Sequence, residues 1–202
     1  MGGRIASIAW AALLISGCAH APSALEPRPL AKHAGGRTQT EAPDLWTILD
    51  PSVSPTDGMK SVGVFRDRLV KLPPEDILKI HQQFTRQLNR AYSWELWGAG
   101  YIINGGCSDD CFDYFRAWLI MQGSAVFDAA VRDPDSLASY PHLSQPAELE
   151  DALSVTRDAY HASSGKEPDG DVIAPALGPG WDFDDHAEMR RRYPRLCRKF
   201  DW

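Results

Sequence analysis

The 202-residue sequence contains no apolar run of the roughly 18 to 20 residues that a membrane-spanning helix needs; its longest lies near the N-terminus and is short. No stretch alternates apolar and polar side chains over strand length, and no segment repeats, which argues against a sheet-based or repeat-built fold. Basic residues are in deficit, with 21 Lys and Arg against 27 Asp and Glu, a formal net charge of −6 and a pI near 5.5. Such a chain has no general basic surface for a phosphate backbone, so nucleic acid is excluded as the main partner. Cysteine is scarce, at four. What remains is ordinary for a globular protein: 44% hydrophobic residues, 24% charged, 16 Gly and 15 Pro, at a length that suits one domain with tails.

Residues 1–17, MGGRIASIAWAALLISG, place a single Arg4 before an apolar stretch from Ile5 to Ile15 and then small residues, the three-part plan of a secretory signal. Cys18 follows at once. Ile15-Ser16-Gly17-Cys18 resembles the lipobox of bacterial lipoproteins, in which the cysteine thiol takes a diacylglyceryl group before cleavage. A conventional cut at Ala19-His20-Ala21 is the alternative. The lipobox implies a membrane anchor through Cys18, for which several acyl chains suffice without any spanning helix. Ala19 after the cysteine fits sorting to the outer membrane, so the expected location is the cell envelope, at the periplasmic face of that membrane.

Residues 18–42 carry Pro22, Pro27, Pro29, Gly35 and Gly36 among polar residues, with only Leu25 and Leu30 as sizeable apolar side chains. This composition predicts a flexible tether of about 25 residues, with a reach of roughly 25 to 30 Å. An all-α domain over residues 43–202 is expected to follow. Asp44 caps a short helix bearing Leu45, Trp46, Ile48 and Leu49, which Pro51 ends; Val62 to Leu72 is a second helix, stopped by Pro73-Pro74. The clearest period runs from Pro74 to Tyr92, with Ile77, Ile80, Phe84, Leu88 and Tyr92 at spacings of three and four. Ser93 caps the next helix, apolar almost all round, which stops at Asn104-Gly105-Gly106. Ser108-Asp109-Asp110 opens one long helix from Cys111 to Arg132, ended by Asp133-Pro134. A further helix falls between Pro146 and Ser164, then a Pro/Gly-rich loop from Gly165 to Trp181, then a last helix from Asp185 to about Phe200.

The run from Ala91 to Asp110, AYSWELWGAGYIINGGCSDD, continuing through Phe112-Asp113-Tyr114-Phe115-Arg116-Ala117-Trp118, resembles the core signature of a bacterial family catalogued as domain of unknown function 4240. The likeness extends in weaker form to Leu45-Trp46-Thr47-Ile48-Leu49-Asp50, to Leu72-Pro73-Pro74-Glu75 and to Asp133-Pro134-Asp135-Ser136-Leu137. It implies a mostly helical domain and a shared surface, and assigns no chemistry. Members of the family are mostly cytoplasmic and without a lipid anchor, and the position after the two aspartates is not usually cysteine. The signal and Cys111 are therefore departures, and no activity that depends on a reducing cytosol is implied.

With Cys18 acylated, three cysteines are left in an exported chain, where thiols tend to oxidise. Four residues along a helix rise about 6 Å, near the upper end of what a disulfide spans, so Cys107 can bridge to Cys111; the other pairing takes Cys197 to one of them. No metal is assigned, because a zinc site needs four ligands from closer-set pairs and only His161 or His186 could add to these. Asp109, Asp110 and Asp113 have the makings of an acid–base pair, or of a cation site with Asn104; helix starts, however, gather Ser and Asp for capping alone. In the same way Asp185, three before Glu188, reads as a cap. His81, between Ile77 and Phe84, reads as a hydrogen-bonded boundary residue. Arg190, Arg191, Arg192, Arg195, Arg198 and Lys199 suit either anionic lipid or pairing with the acidic body.

Aromatic residues flank the turn at 104–110, which brings rings and the free N–H groups of a helix start together. The candidate binding surface is Trp94, Trp97, Tyr101, Asn104, Gly105, Gly106, Ser108, Asp109, Asp110 and Arg116. Its aspartates favour a neutral or cationic small polar ligand, or an envelope partner protein, over a phosphate. The sequence thus reads as a lipid-anchored binding or interaction module with no cofactor, since no recognisable catalytic set accompanies the anchor. The alternative is an envelope hydrolase or cation-dependent enzyme using Asp109, Asp110 or Asp113.

Overall fold

The computed structural model describes residues 43–49, 57–143, 145–169 and 175–202. The signal, Cys18, the tether and the helix stop at Pro51 lie outside the described residues. Every regular element among them is helical, and the first four helix starts each have a chemical reason. In α1, Leu45–Leu49, Asp44 Oδ2 accepts from the Thr47 amide at 3.1 Å. In α2, Gly58–Leu69, the Asp57 side chain accepts from the Lys60 amide, so the helix begins four residues before the expected Val62. α3, Pro74–Arg90, has proline at its first position, where the missing N–H costs nothing, followed by Glu75 and Asp76 against the positive end of the dipole. α4, Trp94–Asn104, takes Ser93 as cap and ends at Gly105, whose φ of 71° is left-handed and suits glycine.

Two expected helices are each broken in two. The run predicted from Cys111 to Arg132 is α5, Asp109–Met121, and α6, Ser124–Arg132, separated at Gly123 with φ 87°. The apolar stripe continues across this break, so periodicity alone could not see it. The run predicted from Asp185 to Phe200 is α8, His186–Arg192, and α9, Pro194–Phe200, where Pro194 forces the preceding Tyr193 out of helical backbone. Between them in the chain come a single 3₁₀ turn at Pro134–Ser139 and α7, Asp151–Ser164.

Residues Glu41–Trp202 form one unit, in which α5 is the hub. It touches α2, α3, α4, α6 and α7, and from Phe115 to Met121 every side chain is buried. α3 lies against α7 with its Ile77, Ile80 and Phe84 face, while His81 at the edge of that face bonds through Nδ1 to the buried Thr156 Oγ1 at 2.9 Å. α4 is central because its two sides are covered by different elements: α5 on one, α9 and the 3₁₀ turn on the other. Its glycines admit that approach, since a Cβ on Gly98 would lie 2.5 Å from the Tyr193 hydroxyl, and one on Gly100 3.2 Å from the Phe115 ring. Asp135, 5% exposed, holds the C-terminal helices in place by accepting from the amides of Arg195 and Leu196, the open donors at the start of α9.

The Tyr193 hydroxyl donates to the Glu95 carbonyl at 2.8 Å, and burial pushes its phenol well above the ordinary 10.0. Gly98→Ala should therefore destabilise the domain by about 1–3 kcal/mol through overpacking, read as a fall in Tm of several degrees. The folded phenol holds its proton at pH values where the unfolded one loses it. Stability should accordingly decline as pH rises past 10, and decline less steeply in Tyr193→Phe, which denaturant titrations at pH 8 and above would measure.

Candidate functional site

The first turn of α5 is built by local chemistry. Ser108 Oγ accepts from the Cys111 amide at 3.2 Å, and Asp109 Oδ1 accepts from the Asp110 amide at 3.1 Å. Cys107 and Cys111 are joined by a disulfide across this turn, with their Cα atoms 5.2 Å apart, while Cys197 is a buried thiol in α9. Asn104 ties the preceding turn down: its Oδ1 accepts from the Ala147 amide at 2.8 Å, and its Nδ2 lies 3.5 Å from Cys111 Sγ. Gly105 and Gly106 make the turn itself, both at positive φ.

Beside this turn a pocket of about 350 Å³ opens between α3 and α5. α5 supplies Asp109, Phe112, Asp113 and Arg116, spaced so that all four share one side of the helix. Thr85, Leu88 and Asn89 come from the last turns of α3, followed by Tyr92, while α4 gives Trp97 and α7 gives Leu153. Trp97 stacks on Phe112 with centroids 4.7 Å apart and planes 11° from parallel, and its indole N–H donates to the Cys107 carbonyl at 3.0 Å. The disulfide turn and the aromatic wall therefore hold each other in position.

Arg116 is the unusual member, a charged side chain only 6% exposed. Its guanidinium lies over the Tyr92 and Phe112 rings at 4.8 and 5.0 Å, donates through Nη1 to the Leu88 carbonyl at 2.8 Å, and pairs through Nη2 with Asp113 Oδ1. Leu88 is in the last turn of α3, so Arg116 satisfies one of the carbonyls that a helix end leaves open. The third nitrogen, Nε, is buried and has no acceptor. An unanswered buried donor costs about 1–3 kcal/mol, which marks this guanidinium as incompletely served by the protein.

Of the candidate binding residues read from the sequence, the structure gathers Trp97, Asp109 and Arg116 at this pocket, with Asp113 from the catalytic alternative. Asp110 is exposed and lines no part of it, and Ser108, Gly105, Gly106 and Asn104 build the turn. Trp94 and Tyr101 face elsewhere, toward the segment before α8. The Trp94 N–H donates to the Gly178 carbonyl at 2.6 Å, and its ring packs so closely on Gly180 that a Cβ there would sit at 2.7 Å. Phe183 inserts beside Trp94, Trp97 and Tyr101, and the Tyr101 hydroxyl donates to Asp184 Oδ1 at 2.7 Å, a carboxylate contact that pushes the phenol up. Thr85, Leu88, Asn89, Tyr92 and Leu153 went unnoticed as site residues. For the first three the signal was the spacing of 85, 88 and 89 on one face of α3 beyond its last fully buried position, Phe84.

Several of the clustered arginines are paired with carboxylates although most of them are exposed. Arg191 and Arg192 bond Glu188 and hold its carboxyl down at about 2, Arg195 bonds Asp133 and Asp135, and Arg192 also lies 3.7 Å over the Trp181 ring. Among the described residues no group of three or more His, Cys, Asp or Glu stands together to hold a metal ion, and no helix is long and apolar enough to cross a membrane.

A family model described as Protein of unknown function (DUF4240) matches residues 41–162. No curated protein and no solved structure matches the chain. Every residue of the pocket falls inside the matched range, whereas the segment that covers Trp94 and Tyr101, together with α8 and α9, falls outside it. With more than half its length matched, the chain belongs to the DUF4240 family.

Proposed function

We propose that this protein is a lipid-anchored binding module of the cell envelope, held through Cys18 at the periplasmic face of the outer membrane, and that the α3–α5 pocket is its binding site for a small neutral or cationic polar ligand. The observation that carries the reading is the pocket's make-up: Asp109, Asp113 and Arg116 line it together with the rings of Tyr92, Trp97 and Phe112. Two carboxylates against one guanidinium leave an excess of negative charge, which repels a phosphate and attracts a cation. Aromatic walls with a few placed polar groups are what small-ligand sites are made of. Lipobox residues 15–18 support attachment by acyl chains. The catalytic alternative keeps Asp109 and Asp113, which share the pocket one helical turn apart, and loses Asp110.

The anchor is tested in the native host. Labelling with a tagged fatty acid should mark the wild-type protein and leave Cys18→Ala unmarked, and globomycin should accumulate an uncleaved precursor; a Cys18→Ala protein that is labelled as strongly as the wild type removes the anchor from the proposal.

The pocket is tested by separating cap from site. Ser108→Ala should cost about 1 kcal/mol as a lost helix cap. Asp109→Asn, which keeps the side chain's size and its acceptor toward the Asp110 amide, should leave Tm unchanged while weakening several-fold the binding of neutral and cationic compounds, read as reduced ligand-induced stabilisation. Trp97→Ala should lose both, because the indole is packed on Phe112 as well as facing the pocket. Ligand response untouched in Asp109→Asn would end the site reading.

A further inference from the structure

We propose that the α3–α5 pocket is built for an α-amino acid group, either a free amino acid or the amino end of a short peptide. The ammonium is held at Asp109 and Asp113, and the carboxylate or carbonyl oxygen lies against Arg116. This rests on the pocket being the binding site, and it names the chemistry that site would accept.

The charges in the pocket are ordered by depth. Arg116 is 6% exposed at the floor, the Asp113 side chain is 48% exposed above it, and Asp109 is exposed at the rim. Because they stand at spacings of four and three on one helix, the three groups form a short line running from positive to negative. A purely anionic ligand meets two carboxylates on the way in. A purely cationic one satisfies those carboxylates and leaves the guanidinium as it is. Only a ligand bearing both charges close together answers both ends.

Arg116 carries the second, independent sign of a missing group. The edge of a guanidinium formed by Nε and one Nη fits a carboxylate in bidentate fashion. In Arg116 that edge is half used: Nη2 bonds Asp113 Oδ1, and the buried Nε has no acceptor. An incoming carboxylate or carbonyl supplies the second oxygen by displacing the groups that now enclose Nε. On the other side, Asp113 Oδ1 and Asp109 Oδ1 are engaged within the helix, and their Oδ2 atoms have no protein partner among the described residues, so both are left to take an ammonium. Tyr92 and Trp97 stand where the side chain of such a ligand would lie. The volume of about 350 Å³ is near the lower end for small-ligand sites, room for one amino acid residue and little more.

The test uses the full chain purified in detergent, with thermal melts and intrinsic fluorescence, against free L-amino acids, their N-acetyl and C-amide derivatives, and matched dipeptides. A second set contains neutral sugars and simple alkylamines. Free amino acids or dipeptides should raise Tm saturably, N-acetylation should weaken binding at least tenfold, and the fluorescence response should vanish in Trp97→Phe. Asp109→Asn, at the exposed rim, should weaken binding several-fold with an unchanged ligand-free Tm. Arg116→Lys should abolish binding, and Asp113→Asn provides the same test should the lysine variant fold poorly. Response to free amino acids alone identifies the free species, and an equal or stronger response to dipeptides identifies the peptide end; either supports the proposal. N-acetyl derivatives binding as well as their parents overturn it. If only the second set binds, through Trp97, the pocket remains a binding site and the amino acid assignment falls. If neither set binds, both fall together.

Discussion

One buried charge sets the terms for the centre of this domain. α5 is surrounded by five other helices, and a helix so enclosed is expected to be apolar throughout, yet it carries Arg116 at 6% exposure. A guanidinium cannot shed its proton to become tolerable in such surroundings, so the neighbouring structure has to accommodate it. The last turn of α3 presents the Leu88 carbonyl, Asp113 returns a carboxylate from one turn earlier, and Tyr92 and Phe112 offer their ring faces. The end of α3, the start of α5 and the aromatic wall are thereby fixed relative to one another by a single side chain. The pocket is the space these constraints leave open.

The turn that leads into α5 is held just as firmly, by several weak devices acting on few residues. Ser108 caps the helix, the disulfide closes residues 107–111, Asn104 bonds the Ala147 amide, and the Trp97 indole bonds the Cys107 carbonyl. Such redundancy keeps Asp109 in a fixed place although it is exposed. For the other rings of α4 a different solution applies, in which Gly178, Gly180 and Phe183 cover Trp94 and Tyr101, and Asp135 fastens α9 by accepting from its first amides. Trp97, stacked on Trp94 in the same row, touches Phe183 on one side and lines the pocket on the other.

Much of this was legible locally. Asp44, Ser93, Ser108 and Asp185 each accept from amides at a helix start, and Gly105 takes the left-handed backbone its position requires. These features depend on a few adjacent residues and on hydrogen-bond geometry, so sequence reasoning reaches them. The breaks at Gly123 and Pro194 were passed over because apolar spacing continues through both, and spacing reports which face is buried without reporting whether the axis turns. The candidate surface was half assembled for a related reason. Trp94, Trp97 and Tyr101 are three and four apart and share a helix face, but Phe183, some eighty residues further on, comes between that face and solvent.

The sequence by itself determined the helical class, the ends of most helices, and the concentration of Asp, Ser and Gly at the start of α5, because each follows from periodicity or from hydrogen bonds among near neighbours. Tertiary structure alone decided which groups meet. That Arg116 bonds the carbonyl of Leu88 rather than reaching solvent, that Tyr92 and Leu153 join Asp109 and Asp113 around one space, and that Cys107 pairs with Cys111 while Cys197 is enclosed in α9 are outcomes of helix packing. Packing depends on the summed fit of many distant side chains, a quantity that no local stretch of the chain contains.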